Sequence, residues 1–225
     1  MNAPHAVPSW PMYRTLVGIG MLCGLLIAIV FQGTRPVIER NRAAALERAV
    51  FAVLPAATRR ETFALTAEGS FVVETEATGR RVHAGFDADG RLVGVAIEAA
   101  GMGYADTITL LYGYAPAAEA IVGIRVLTSK ETPGLGDKIE TDPAFLDNFI
   151  ALDASLDASG TALRNRIVTV KRGQKTAPWQ IDGITGATIS SQAVGEILAT
   201  SAAHWVPLIT GQLEDLTAGA TDDAT

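Results

Sequence analysis

Apolar residues crowd into one stretch near the start of the chain and then thin into short alternating runs. Between Arg14 and Arg35 lie 20 residues without a charge, densest from Leu16 to Phe31. Wound as a helix, that run extends roughly 30 Å, the thickness of a bilayer's hydrocarbon core. Trp10 and Tyr13 stand just before it, where amphipathic rings suit a membrane interface. A cleaved leader has a shorter apolar part and leaves through small residues. This run leaves through Phe31-Gln32-Gly33-Thr34-Arg35-Pro36, and it carries no polar stripe that would mark a core helix. The pattern predicts an uncut transmembrane helix over residues 15–34 behind a short N-terminal segment, 1–14.

After Pro36, the apolar residues Val37, Ile38, Leu46, Val50, Val53 and Leu54 recur near helical spacing until Pro55 stops them. Residues 35–56 therefore read as a helical stalk continuing the span. Strand patterns follow. Phe71-Val72-Val73 is a short one, and Arg81 to Phe86 leads through the turn Asp87-Ala88-Asp89-Gly90 to a hairpin partner, Arg91 to Glu98. Thr107 to Tyr112, Ile121 to Thr128 and Ile167 to Val170 are further strands. Asp142-Pro143 opens a helix, with Asp as cap and Pro in the first turn, and a longer helix runs from about Ser190 to Leu208. The tail, 211–225, is polar and reads as disordered. Neighbouring strands with helices added later predict an α+β body over 57–210, an antiparallel sheet with packed helices.

Composition narrows the chemistry. With 48% hydrophobic and 19% charged residues the chain is not a disordered one. Net charge is −6 and no Lys/Arg stripe forms, which excludes nucleic acid as partner. The lone cysteine, Cys23, lies in the apolar run, so this chain builds neither a disulfide framework nor a cysteine-held cluster. His5, His83 and His204 are scattered without ligand spacing, and no metal is expected. Any redox cofactor is then organic.

One segment stands out: Trp179-Gln180-Ile181-Asp182-Gly183-Ile184-Thr185-Gly186-Ala187-Thr188-Ile189-Ser190-Ser191. It reads as a turn, a glycine-opened loop and a helix start. Gly183 and Gly186 allow close approach of a ligand, and the hydroxyls of Thr188, Ser190 and Ser191 gather where free N–H groups and the helix dipole receive an anion. Local physics serves two readings equally here, a phosphate site or a plain helix cap by Thr185, Thr188 or Ser190. Neither a dinucleotide turn nor a P-loop matches the glycine spacing. A second segment, Ser129-Lys130-Glu131-Thr132-Pro133-Gly134-Leu135-Gly136-Asp137-Lys138, begins as a strand ends and is forced by Pro133 and its glycines into an exposed loop.

Together the two segments carry a resemblance. Asp182-Gly183-x-Thr185-Gly186-Ala187-Thr188, followed by Ser190, resembles the flavinylation motif of FMN-binding domains in respiratory membrane complexes. Glu131 to Gly136, about fifty positions upstream, is similar to the second signature of that domain. With the preceding single span, the chain resembles the G subunit of the Rnf (Rsx) ion-translocating electron-transport complex from the anchor to about Leu208. The resemblance is strongest over 103–114, 130–140 and 182–193. It departs from the family at Ser129-Lys130, where members often carry His.

The resemblance implies FMN joined to Thr188 through a phosphoester. Asp182 and Thr185, with Gly183, Gly186 and Ala187, match the motif read by the flavin transferase, which uses FAD as donor. Ser190 and Ser191 would bond the phosphate. Glu131, Thr132, Gly134, Leu135 and Lys138 would lie along the isoalloxazine ring. The implied role is electron relay in a translocase that links ferredoxin and NAD chemistry to ion movement, with no independent substrate turnover. Implied partners are the flavin- and iron–sulfur-carrying membrane subunits, the transferase during maturation, and the bilayer around residues 15–34. The implied location is the bacterial cytoplasmic membrane with the body outside. Charge alone points the other way: Arg14 precedes the span, whereas Arg35, Arg40, Arg42 and Arg48 follow it. The related C subunit of the sodium-pumping NADH:quinone reductase is the alternative within the class. A membrane-anchored scaffold without redox function is the alternative outside it.

Overall fold

The computed structural model describes residues 10–66, 70–73 and 80–218. It divides into two units, Met1–Ala45 and Leu46–Thr225. Helix α1 spans Trp10–Val53, 44 residues, and runs through Pro36. The ring there removes one backbone donor, so the Gln32 carbonyl four residues earlier loses its helix hydrogen bond. The apolar part of α1 has a mean hydropathy of 2.3 and no burial, so by length and composition it is fit to cross a bilayer. The expected stalk, 35–56, straddles the two units: its part through Ala45 goes with the apolar segment, and from Leu46 onward the chain is built into the body.

The body is α+β. Strands β1 (Arg59–Leu65), β2 (Phe71–Val73), β3 (Arg80–Phe86), β4 (Leu92–Met102), β5 (Thr107–Ala115), β6 (Ala120–Thr128) and β7 (Leu152–Asp153) form one antiparallel sheet in the order β2-β1-β3-β4-β5-β6-β7. The β3–β4 turn closes as its sequence dictates: Asp87 Oδ1 accepts from the N–H groups of Asp89 and Arg91, both at 2.9 Å, and Gly90 takes φ +77°. Asp142 caps the single-turn helix α2 (Pro143–Leu146) through Oδ1, which accepts from the Ala144 N–H at 3.0 Å. Strands β8 (Val168–Val170) and β9 (Gln180–Asp182) pair in parallel, and helices α3 (Thr188–Gly211) and α4 (Leu213–Ala218) complete the body.

The tail expectation needs correcting. Residues 213–218 are helical, because Leu213 and Leu216 fall one turn apart and Leu216 is fully buried with Phe71 in the main core. Residues 219–225 lie outside the described residues, as do 1–9.

Alternation along the strands gives the sheet two different faces. Val95, Ile97, Tyr112 and Tyr114 turn toward α3 and pack with its Val194, Leu198 and Val206. The Tyr112 hydroxyl finds Ser201 Oγ at 2.9 Å, so its burial leaves no polar atom stranded. On the opposite face Gly85, Gly94, Gly113 and Gly123 make a side-chain-free furrow across β3 to β6, with Gly85 facing Gly94 and Gly113 facing Gly123 in register. The end of α1 and the residues after it lie in that furrow. A methyl group added at Gly94 would come 2.7 Å from Leu54 Cδ2, one at Gly123 3.0 Å from the Val53 carbonyl oxygen, and one at Gly113 would strike that same oxygen. Ala49, Val50, Val53, Leu54 and Ala57 close a second small core there with Ala96 and Leu111.

Gly113→Ala should therefore destabilise the detergent-solubilised chain by about 1–3 kcal/mol, read as a lower thermal midpoint, because the new carbon meets backbone that cannot rotate away. Gly33→Ala, where an added carbon meets nothing within 4 Å, should not lower it.

Candidate functional site

The loop between β9 and α3 alternates pinned and free residues. Ile181, Ile184 and Ala187 are buried, while Thr185, Gly186, Thr188 and Ile189 are exposed. Gly183 donates its N–H to the Val170 carbonyl at 2.9 Å, and a side chain at that position would come as close to the same oxygen. Ser191, fully buried, works on the loop: its hydroxyl accepts from the Ile184 N–H at 3.0 Å and donates to the Ala187 carbonyl at 2.8 Å. Gly186 takes φ +87°, a conformation that side chains other than glycine's resist. These constraints leave Thr188 as the first residue of α3, with its side chain exposed.

The helix start is not capped by a side chain. Ala187 holds the cap position and makes no side-chain cap bond, which removes the plain capping reading for Thr185, Thr188 and Ser190. Among the described residues no acceptor pairs with the N–H groups of Thr188, Ile189 and Ser190. A 24-residue helix thus presents open donors and its positive end beside an exposed hydroxyl.

The second segment meets the first here. A cleft of about 360 Å³ is lined by Tyr104, Glu131, Thr132, Leu135, Gly136 and the stretch 186–190. Glu131 joins the two walls. Its Oε2 accepts from Ser190 Oγ at 2.5 Å, and its Oε1 accepts from the N–H groups of Tyr104 and Ala105 at 2.8 and 3.0 Å. Burial alone would push this carboxyl up, but the donors from Ser190, Ala105 and Tyr104 outweigh it and hold it below the usual range. Lys130 turns outward to Asp106 at 2.6 Å, and that hydrogen bond lowers the aspartate and raises the lysine.

Of the residues singled out by sequence, Thr188, Gly186, Ala187, Ser190, Glu131, Thr132 and Leu135 line the cleft. Asp182, Gly183, Thr185, Ser191, Gly134 and Lys138 do not. Asp182 instead accepts from the N–H groups of Gly173 and Gln174 at 2.8 and 3.2 Å and shapes the loop behind the site. Ser191's hydroxyl is spent on the loop and Ser190's on Glu131, so neither is available to a phosphate as expected. Gly134, at φ +76°, makes the turn that carries Leu135, and Lys138 sits half-buried on a single-turn helix over Gly136–Glu140.

Sequence reasoning missed Tyr104 and Asn148. Asn148 is buried and brackets the Asp182 peptide, donating to its carbonyl at 3.2 Å and accepting from its N–H at 3.0 Å. Tyr104 falls in the 103–114 stretch where the resemblance is strongest, beside Gly103, where any side chain would strike the Glu131 carboxylate.

Residues 103–202 match the FMN-binding domain family, a range that starts at this glycine and takes in both cleft walls. Over 187 residues the chain is 31% identical to the G subunit of the ion-translocating oxidoreductase complex of Methanosarcina acetivorans, covering 82% of this chain and 87% of that one. The chain belongs to this G-subunit family. A second member, from Shewanella piezotolerans, is 32% identical over 79% of this chain and 81% of its own. The G subunit of the Na(+)-translocating ferredoxin:NAD(+) oxidoreductase complex of Acetobacterium woodii is 36% identical over 41% of this chain and 39% of its own. The solved C subunit of the Na(+)-translocating NADH-quinone reductase from Parabacteroides distasonis shares the fold of this G-subunit family member, with TM-score 0.61, 21% identity, and coverage of 78% and 96%.

If Ser191 serves the loop rather than a ligand, Ser191→Ala should cost about 1–3 kcal/mol in thermal unfolding of the unloaded chain, because the Ile184 N–H is left buried without a partner. A phosphate ligand alone would show no loss before loading.

Proposed function

We propose that this chain is the membrane-anchored electron-relay subunit of an Rnf-type ion-translocating oxidoreductase, with FMN held on Thr188 by a phosphoester. The observation that carries the reading is the exposed Thr188 side chain at the uncapped start of α3, in a cleft walled by both signature segments. These residues fit the group. A phosphate esterified to Thr188 keeps a single charge, which the open N–H groups of Thr188, Ile189 and Ser190 serve without a lysine or arginine. Tyr104, Leu135 and Ile189 give the cleft an apolar rim suited to a flat aromatic ring.

The chemistry that bound FMN supplies is one- and two-electron transfer, which no side chain of this cleft offers. The protein's own part is positional. Thr188 tethers the group so that it cannot leave, the pinned loop fixes where the tether begins, and Glu131 with Ser190 fixes the facing wall. Exposure of Thr188, Ile189 and Leu135 at the cleft leaves access for exchange with other redox subunits of the complex, so no separate substrate site is needed. Asp182, whose carboxylate is held by the Gly173 and Gln174 N–H groups behind the site, belongs to the motif that the flavin transferase reads. The body lies on the outer side of the cytoplasmic membrane, as the resemblance implies, against the arginine count after the span.

The C subunit of the sodium-pumping NADH-quinone reductase shares the fold, but the G-subunit relatives match at 31% and 32% identity where the structural likeness is at 21%. That difference favours the Rnf reading.

The native chain, purified after co-expression with a flavin transferase, should carry the mass of one FMN less one water on the peptide containing Thr188. Thr188→Ala should give a folded, colourless protein; covalent yellow fluorescence surviving in a denaturing gel would refute the site, and an unmodified native chain would leave the scaffold alternative standing. For topology, protease added to sealed right-side-out vesicles should digest the body. Digestion confined to inverted vesicles would reverse the orientation.

A further inference from the structure

Glu131 is 5% exposed, yet among the described residues no lysine or arginine pairs with it. Its carboxylate is held by neutral donors, the Ser190 hydroxyl and the peptide N–H groups of Tyr104 and Ala105. Two glycines make room for it. A side chain at Gly103 would strike Oε1, and one at Gly136 would come 2.5 Å from Oε2 and 2.8 Å from Ser190 Oγ. A cage of donors and missing side chains around a carboxylate is a costly arrangement if the group only fills space, since an apolar residue fills space without desolvating a charge. It lines the cleft and abuts the third residue of α3, whose positive end favours an anion.

We infer that Glu131 is a positioning residue that keeps a permanent negative charge against the first turn of α3 and thereby lowers the reduction potential of FMN bound in this cleft. The inference rests on the FMN reading above. Reduction adds negative charge to the flavin, and a fixed anion in a partly dry cleft disfavours that gain. Ser190 is what keeps the charge in place: its short hydrogen bond favours the ionised carboxylate, in line with the downward shift of this group despite its burial. The other titratable groups nearest it in the chain are Tyr104 and Asp106 on the turn after β4, Lys130 beside it, and Asp137, Lys138 and Glu140 on the single-turn helix that follows; on β4 and α3 the titratable groups, Glu98, Glu196 and His204, lie further along those elements. Asp106 and Lys130 neutralise each other, and the first turn of α3 carries no acid.

The test is a redox titration of the full-length, flavin-loaded chain in detergent as wild type, Glu131→Gln and Ser190→Ala, from about pH 8 down to about pH 2.5, well below the ordinary glutamate range. Glu131→Gln keeps the shape and removes the charge. Near neutral pH it should shift the midpoint positive by about tenfold in the oxidised-to-reduced ratio, roughly 30 mV for a two-electron couple. The gap should close as pH falls through the lowered pKa of Glu131, where the wild type loses its charge too. Ser190→Ala should track the wild type at neutral pH and converge with the Gln variant at a higher pH. Coincident midpoints for wild type and Glu131→Gln, or a gap that pH does not change, would overturn the inference; should the Gln variant not fold, a Ser190→Ala profile identical to wild type would do the same. A wild-type chain that takes up no FMN would instead defeat the function proposed above. In that event the unloaded chains still decide whether the charge exists. Glu131's folded pKa lies below its unfolded one, so its stabilisation is full above the unfolded value and is lost as pH falls through the folded one. Wild type should lose thermal stability in acid more steeply than Glu131→Gln, and equal slopes would overturn the inference.

Discussion

The hydrogen bond between Ser190 and Glu131 spans 59 residues of sequence and makes one site of two segments. Its geometry depends on nearly everything around it. The carboxylate reaches Ser190 only because Gly103 and Gly136 carry no side chains, and it is oriented only because the turn after β4 offers two peptide N–H groups. Those N–H groups are placed by the long β4–β5 pairing, which brings Met102 opposite Thr107 and leaves the turn between them at the sheet's end. The sheet thus sets the turn, the turn sets the carboxylate, and the carboxylate sets the first turn of the helix that bears Thr188.

Around that contact the loop between β9 and α3 divides its labour by residue. Hydrophobic burial of Ile181, Ile184 and Ala187 fixes the chain path, Ser191 and Gly183 satisfy the backbone inside, and what remains outside is Thr185, Gly186, Thr188 and Ile189, with three unused donors at the helix start. Leaving helix donors open costs stability unless water or a ligand meets them. Beside an exposed hydroxyl, the uncapped end marks a place where function was given precedence over stability.

Much of this was legible in the chain. An unbroken apolar run of membrane length exposed the first helix, and turn chemistry at Asp87 to Gly90 and Asp142-Pro143 located a hairpin and a cap, because each depends on residues close together in the chain. The two signature segments were visible through their glycines and hydroxyls. What stayed hidden depended on distance. The strand Arg59–Leu65 has no clean alternation and is half-buried along most of its length, being defined by β2 and β3 on either side. Ser191 looked like a phosphate ligand because its hydroxyl sits in the right place in sequence, but the fold turns it inward. Asn148 gave no signal at all, since its role is to hold a peptide 34 positions away. The tail's helix was missed because two leucines in a polar stretch look incidental until β2 is there to receive them.

The glycine furrow on the far side of the sheet also defines where the protein can be cut. Residues from Leu46 to Ala57 are the lid of an apolar strip across four strands, so they belong to the folded body although in sequence they look like part of the tether. A water-soluble version that starts after Pro55 would bare that strip and invite sheet-to-sheet aggregation. One that starts at Leu46 keeps the strip covered, and offers the shortest fragment in which to study the cleft free of lipid.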